Sequence, residues 1–324
     1  MKSQTNLHAT NRKIGAGLLL TLLFGLSGSR LLPAAVQQLE APDLVQSFPV
    51  GLAPYGVLFD GANIWVANTG DGTVTKLRAS DGILEGTFSA GDYPIYLAFD
   101  GANIWATNNT IPGTVTKLRA SDGVLQGTFS VGNAPFGITY DGANIWVVNH
   151  YRPGRAGTVS KLRASDGALL GTFKVGEGPI GITFDGTNIW VTNFYDDTVS
   201  ELRASDGVLL GVFGVEALPR GISFDGTRIW VANYDLSNVT TLLARNGHIR
   251  QDITVDGQPE EIAVAGASVW VTCQEFGGNV DRLQNGVVVQ TLNIGGPTGI
   301  AFDGTSVWVV SEADDTVKKI TPSP

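Results

Sequence analysis

The residues of this chain best suited to chemistry are Arg220, Glu260 and Glu261, an arginine and two adjacent carboxylates in units 40 residues apart. Arg220 and Glu260 each follow a proline, and the same place after five other prolines holds Tyr55, Ile95, Phe136, Ile180 and Thr298. One position further on, Tyr96 and Glu261 stand where the other five units have glycine. An arginine beside carboxylates can make an ion pair, clamp an oxyanion or tune an acid and base. Two glutamates are also a start toward a calcium or magnesium site, but calcium takes six to eight oxygens and the only further carboxylates in reach are Glu275 and Glu312. No cofactor is therefore expected, with a calcium or magnesium ion as the alternative. Tyr55, Tyr96 and Phe136 would line an apolar wall opposite these charges, which is how a small-ligand site is built. His150 and Arg152, in the loop NHYRPGRAG at 149–157, add a proton donor and an anion clamp. The competing reading is a plugged cavity closed by an Arg220 and Glu260 ion pair.

What positions these residues is a repeat. The seven tryptophans, Trp65, Trp105, Trp146, Trp190, Trp230, Trp270 and Trp308, are separated by 40, 41, 44, 40, 40 and 38 residues, and a proline precedes each by eleven. A period of this length points to a propeller or solenoid. Residues 134–175 show the unit best: APFGITY, DG, ANIWVVN, a loop, TVSKLRA, SDG, ALLGTFKV. These are four short β-branched and aromatic runs joined by glycine-containing turns, with no helical periodicity. The last repeat stops after three strands, and LVQSFPVG at 44–51 matches the missing fourth. The expectation is an all-β, seven-bladed β-propeller with four antiparallel strands per blade, its last blade closed by the N-terminal strand.

The heptapeptide KLRASDG recurs at 76–82, 117–123 and 161–167, with ELRASDG at 201–207. It reads as scaffold. Asp81 and Gly82 would supply positive-φ turn positions, and Lys76 and Arg78, two apart, would share one side of an outer strand and snorkel to solvent. The tryptophans read as packing between blades. Asn68, Asn108, Asn149, Asn193 and Asn233 would close turns through their own side chains.

The turns between strands one and two and between three and four share one face and are nearly constant among the copies. The loops of the opposite face vary: NTGDG, NNTIPG, NHYRPGRAG, NFYDD, NYDLSN, CQEFGGN and SEADD. A ligand site is expected there, at the tunnel mouth, formed by Tyr55, Tyr96, Phe136, His150, Arg152, Arg220, Glu260 and Glu261.

The units PFGITYDGANIWVVN and GTVSKLRASDG resemble the bacterial NHL and YVTN-type seven-bladed propellers, including the group around virginiamycin B lyase; the resemblance spans residues 44–321. It implies the fold. A lyase of that group implies a histidine acid–base pair, a glutamate and a divalent ion, and the chain departs from this: after residue 35 it has only His150 and His248, the latter in ARNGHIR on a fourth-strand hairpin. The Trp-Asp and Gly-His marks of WD40 repeats are missing.

Residues 1–35 carry Lys2, Arg12 and Lys13 before the apolar run 14–26 and small residues after it, the layout of a secretory signal or N-terminal anchor. The propeller is then 36–324. Removing that segment takes four of 21 basic and none of 30 acidic residues, changing the net charge from −9 to −13. Such a surface repels nucleic acid and anionic membranes. The lone Cys273 permits no internal disulfide. The reading is a secreted or periplasmic, monomeric binding module for an envelope or extracellular protein, a glycan or a small molecule. The enzymatic alternative is a metal-dependent lyase or lactonase-like hydrolase at the same mouth.

Overall fold

The computed structural model describes residues 43–150 and 154–322. The segment expected to be a signal, and Arg152, lie outside them.

Seven four-stranded antiparallel sheets follow one another along the chain, and each is a simple meander. Their limits are 54–89, 94–130, 135–177, 179–214, 219–254, 259–293 and 297–321. The last takes its outer strand from Leu44–Pro49, which pairs antiparallel with Thr316–Thr321. The expected ring closure is present, and it leaves no open first or last blade to pair with another molecule.

Burial grades outward from the ring's middle. Second strands such as Asn144–Asn149 are buried almost throughout, whereas outer strands such as Leu125–Ser130 are largely exposed. The core consists of seven clusters, each joining one blade to the next. Trp65, Ala67 and Val74 of blade 1 pack with Leu97, Ile104 and Leu118 of blade 2, and Trp308, Val310 and Val317 of blade 7 pack with Ile64, Val66 and Leu77 of blade 1. A fully buried Trp contributes a large apolar area at each joint, and its indole N–H requires an acceptor. The DG turn supplies one. Asp60 accepts Trp65 Nε1–H at 2.8 Å, and the same bond recurs between Trp146 and Asp141 at 2.7 Å and between Trp308 and Asp303 at 2.7 Å. Burial would raise the Asp141 carboxyl, but the Trp146 indole, Asn144 and two backbone amides outweigh it and hold the pKa low. The aspartate of the turn thus anchors the tryptophan five residues on, a role that turn chemistry alone does not reveal.

KLRASDG is scaffold, though two of its residues act otherwise than expected. Lys76 does not reach solvent: it is buried between blades, its ammonium 5.4 Å from the centre of the Trp65 ring. Arg78 is the exposed one, paired with Asp81 at 2.9 Å. Only Gly82 of the turn has positive φ, at 72°. Asp81 instead accepts the Ile83 amide at 3.2 Å. Gly82 is needed twice over, since a Cβ there would stand 2.1 Å from the ring of Phe48.

Candidate functional site

Each inner strand starts at its proline and carries a bulge before the third following residue, as between Pro54 and Val57 and between Pro259 and Ile262. A bulge puts two successive residues on one side of a strand. Positions one and two after the proline therefore both reach the axis, which period-two alternation would forbid. Second-strand threonines satisfy the disturbed backbone: Thr272 Oγ1 accepts the Glu261 amide at 3.0 Å, and Thr107 Oγ1 accepts the Tyr96 amide at 3.1 Å. The glycines at position two are forced by crowding. A Cβ on Gly56 would lie 2.3 Å from Ile95 O of the next inner strand. Tyr96 and Glu261, which replace glycine on opposite sides of the ring, fill the axis.

The structure brings seven of the eight candidate residues together. Tyr55 O–H donates to Glu260 Oε1 at 2.6 Å across the ring, and Tyr96 O–H donates to Glu261 Oε1. Arg220 Nη1 donates to both oxygens of Glu260. The guanidinium lies over the Tyr234 ring at 4.2 Å and the Phe194 ring at 5.4 Å. Tyr55, Tyr96 and Phe136 meet edge-on or tilted, with centroids 5.4 to 6.3 Å apart. Phe136 continues to His150 at 5.8 Å, and His150 to Tyr195 at 5.9 Å. The result is a continuous aromatic arc from blade 1 to blade 4, which Arg220 joins to Tyr234 of blade 5 and which charges on blades 5 and 6 close.

The electrostatics follow from this burial. Glu260 is 1% exposed and has an arginine partner. Glu261 has none; burial, with the neighbouring Glu260 charge adding to it and the Tyr96 hydrogen bond opposing, pushes its pKa up to about 7. Burial and then the Glu260 charge push the Tyr55 phenol well above its ordinary range; burial and the Glu261 charge do the same to Tyr96. Both phenols stay protonated as donors. Desolvation opposes the Arg220 charge, yet Glu260 outweighs it and the guanidinium pKa rises. His150 Nδ1 lies 3.2 Å from Pro179 O, and because a carbonyl only accepts, Nδ1 carries the proton. Burial chiefly, and Arg220 next, lower the His150 pKa, so the ring is neutral at neutral pH.

Chemically, this arrangement is a plug rather than an open catalytic cleft. Its acid and base groups face one another, and three of the four carboxylate oxygens are taken up by Arg220, Tyr55 and Tyr96. The residues do not suit the lyase or calcium sites considered above. His248 is exposed on a fourth-strand hairpin, and among the described residues no three His, Cys, Asp or Glu side chains gather to hold a metal ion.

Phe194, Tyr195 and Tyr234 belong to the mouth but were not singled out by sequence. The available signal was the residue following each second-strand asparagine. In blades 1 to 3 that residue bonds the next blade's proline carbonyl: Thr69 at 2.7 Å, Asn109 at 3.1 Å and His150. In blades 4 and 5 it is Phe194 and Tyr234, which flank Arg220 instead. The asparagines do more than close turns. Asn68 Nδ2–H bonds Thr73 and Thr75, and its Oδ1 accepts the Gly51 amide at 3.0 Å.

No protein-family model and no curated protein matches the chain. Solved structures with the same fold include a Kuenenia stuttgartiensis hydrazine synthase chain, with 15% identity, TM-score 0.72, and 89% of this chain and 99% of that one covered. U3-55K matches at 13% identity and TM-score 0.73, over 86% of this chain and 98% of its own. The WD40 repeats of RRP9 match at 13% identity and TM-score 0.73, over 86% and 97%. At such identities the likeness establishes the seven-bladed β-propeller fold and nothing finer.

Proposed function

We propose that this protein is a non-catalytic binding module that docks a protein partner on the variable-loop face around the plugged mouth. One observation carries this reading: the loops of that face present Leu52, Tyr93, Ile111, Tyr195 and Leu236, each between 39% and 71% exposed. Contributed by different blades, they crown one mouth with a crest of apolar side chains open to a partner. The constant-turn face carries solvated Arg and Asp pairs, such as Arg119 with Asp122 at 2.8 Å, beside apolar residues at the starts of outer strands such as Ile83 and Leu84. The plug gives the crest a rigid floor, since two cross-ring hydrogen bonds and an ion pair fix its shape. On its repeat residues we group the chain with the NHL and YVTN-type propellers. The N-terminal layout supports export, with action in the periplasm or outside the cell.

The test is affinity capture from envelope and culture fractions with the full chain, a crest variant (L52S, Y93N, L236S) and an opposite-face variant (R78S, R119S, R163S). Asparagine is chosen at position 93 because Tyr93 has φ of 52°, where Asn is tolerated. The same partner should be retained by the wild type and the opposite-face variant and lost from the crest variant, at unchanged Tm. Equal capture by all three chains would overturn the proposal.

A further inference from the structure

Four blades seal the gap to their neighbour with a lysine ammonium. Lys117 Nζ donates to Ala164 O at 2.7 Å and Ser165 O at 3.2 Å. Lys161 Nζ donates to Ala204 O at 2.7 Å and Ser205 O at 3.1 Å, and Lys319 Nζ to Ala79 O at 2.7 Å and Ser80 O at 3.1 Å. Lys76 Nζ approaches Ser121 O at 3.5 Å. Each ammonium also lies 4.9 to 5.4 Å from the centre of its cross-strand tryptophan. The structural unit is a socket for an ammonium ion, walled by two successive carbonyls of the next blade's last turn.

Blade 4 has the socket without the lysine. Glu201 pairs across the strands with Trp190 as Lys161 would, and it is 9% exposed. The turn it faces, Ala244 and Arg245 of blade 5, has carbonyls that accept no hydrogen bond among the described residues. A cavity of about 460 Å³ opens there, lined by Glu201, Asp185, Asn188, Ala244 and Arg245 among others. Glu201 Oε1 accepts from Asn188 Nδ2 at 2.6 Å, while Oε2 has no hydrogen-bond partner among the described residues. Burial first, and the Asp185 charge after the opposing Asn188 bond, raise the Glu201 pKa, a penalty that a cation would relieve. The chain supplies no such cation, because the exposed Arg245 makes no ion pair among the described residues.

We propose that the socket between blades 4 and 5 binds a primary ammonium group from outside the chain, held by the Glu201 carboxylate and the carbonyl oxygens of Ala244 and Arg245. Three N–H donors match one carboxylate and two carbonyls, whereas a quaternary ammonium would satisfy none of the carbonyls. The group can come from a free alkylamine or from a lysine side chain of a polypeptide.

Titration of the ¹⁵N-labelled full chain separates these cases. The probes are n-butylammonium and Nα-acetyl-lysine N-methylamide, with tetramethylammonium and 1-butanol as controls. Saturable shifts are expected at the Arg245 amide and the Asn188 side-chain amide, in the roughly millimolar range that suits a fragment of this size. The controls should give none. Glu201→Gln should weaken binding roughly tenfold or more. Glu201→Lys, which restores the chain's own ammonium as at Lys161, should abolish it in a protein whose spectrum stays dispersed. Equal affinity for both probes assigns a polypeptide lysine, and binding of butylammonium alone assigns a free amine. Shifts that do not saturate at these residues, or saturable binding that persists unchanged in Glu201→Gln, would overturn the proposal.

Discussion

Glu261→Gln should make the protein more stable at pH 8 and remove part of its pH dependence. Glu261 sits in the plug without a cation of its own, and its pKa is raised from an ordinary 4.5 to about 7. The native state therefore holds the Glu261 proton more tightly than the unfolded chain. The stability this brings is full below the unfolded value of about 4.5 and is lost as the pH rises through about 7. Between pH 5 and pH 8 the change amounts to about 2.5 kcal/mol, a shift of roughly two and a half units at 1.36 kcal/mol each, less the part still titrating at pH 5. Glutamine keeps a carbonyl oxygen for the Tyr96 hydroxyl, so the hydrogen bond across the ring survives while the charge does not. His150 acts in the opposite sense: its lowered pKa means the native state loses stability as the pH falls through the histidine range. The wild type alone would blend the two. The difference between wild type and Glu261→Gln in urea unfolding free energy, measured from pH 5 to pH 8, isolates Glu261. The two should agree near pH 5 and diverge in favour of the variant by pH 8. Parallel profiles, or a wild type that gains on the variant toward pH 8, would show that Glu261 is ionised at no cost and that the plug is wetter than the geometry indicates.

Four further variants test the plug and the joint between blades. Glu260→Ala strands the Arg220 guanidinium and the Tyr55 hydroxyl, and should cost about 3–5 kcal/mol as a broken buried pair, toward the lower end because the Arg220 side chain stays 25% exposed. Arg220→Met with Glu260→Leu should cost less than Glu260→Ala alone, and additive losses in a double-mutant cycle would deny the coupling. Trp146→Ala should lose about 3–5 kcal/mol of packing. Asp141→Ala, which leaves the ring in place but removes its 2.7 Å indole partner, should lose about 1–3 kcal/mol. Urea melts of both would check the order, and an equal loss would mean that the Asp141 hydrogen bonds, to the indole and to the Ala143 and Asn144 amides, hold the joint as much as the ring does.

The architecture was legible because it is written in copies. A proline eleven residues before each tryptophan fixed seven blades, and the outer-strand pattern in LVQSFP foretold the closing strand. Phe194, Tyr195 and Tyr234 were not legible, whereas Tyr55, Tyr96, Phe136, Arg220, Glu260 and Glu261 were, by their place after the proline. Their mutual arrangement was not, since it depends on bulges that turn both Tyr55 and Tyr96 inward, and period-two reasoning sends one of each such pair the other way. Lys76 was misread for a related reason. Its neighbour two residues on, Arg78, does reach solvent, but position 76 lies opposite Trp65, inside the joint between blades.

That misreading shows where the individuality of this chain lies. While the lysine of KLRASDG counts as a surface residue, its replacement by Glu201, Thr241 and Arg282 in blades 4 to 6 is neutral drift. Once it is the ammonium that fills four of the joints, those replacements alter three successive sockets on the constant-turn face, two of them in charge. Blade 6 keeps a cation over its tryptophan, Arg282 at 5.6 Å, and blade 5 puts a small hydroxyl in the place. Only blade 4 reverses the sign. A scaffold position can thus carry specificity in a repeat protein, because the repeats themselves define what an unmodified site holds and so mark the one from which it has been removed.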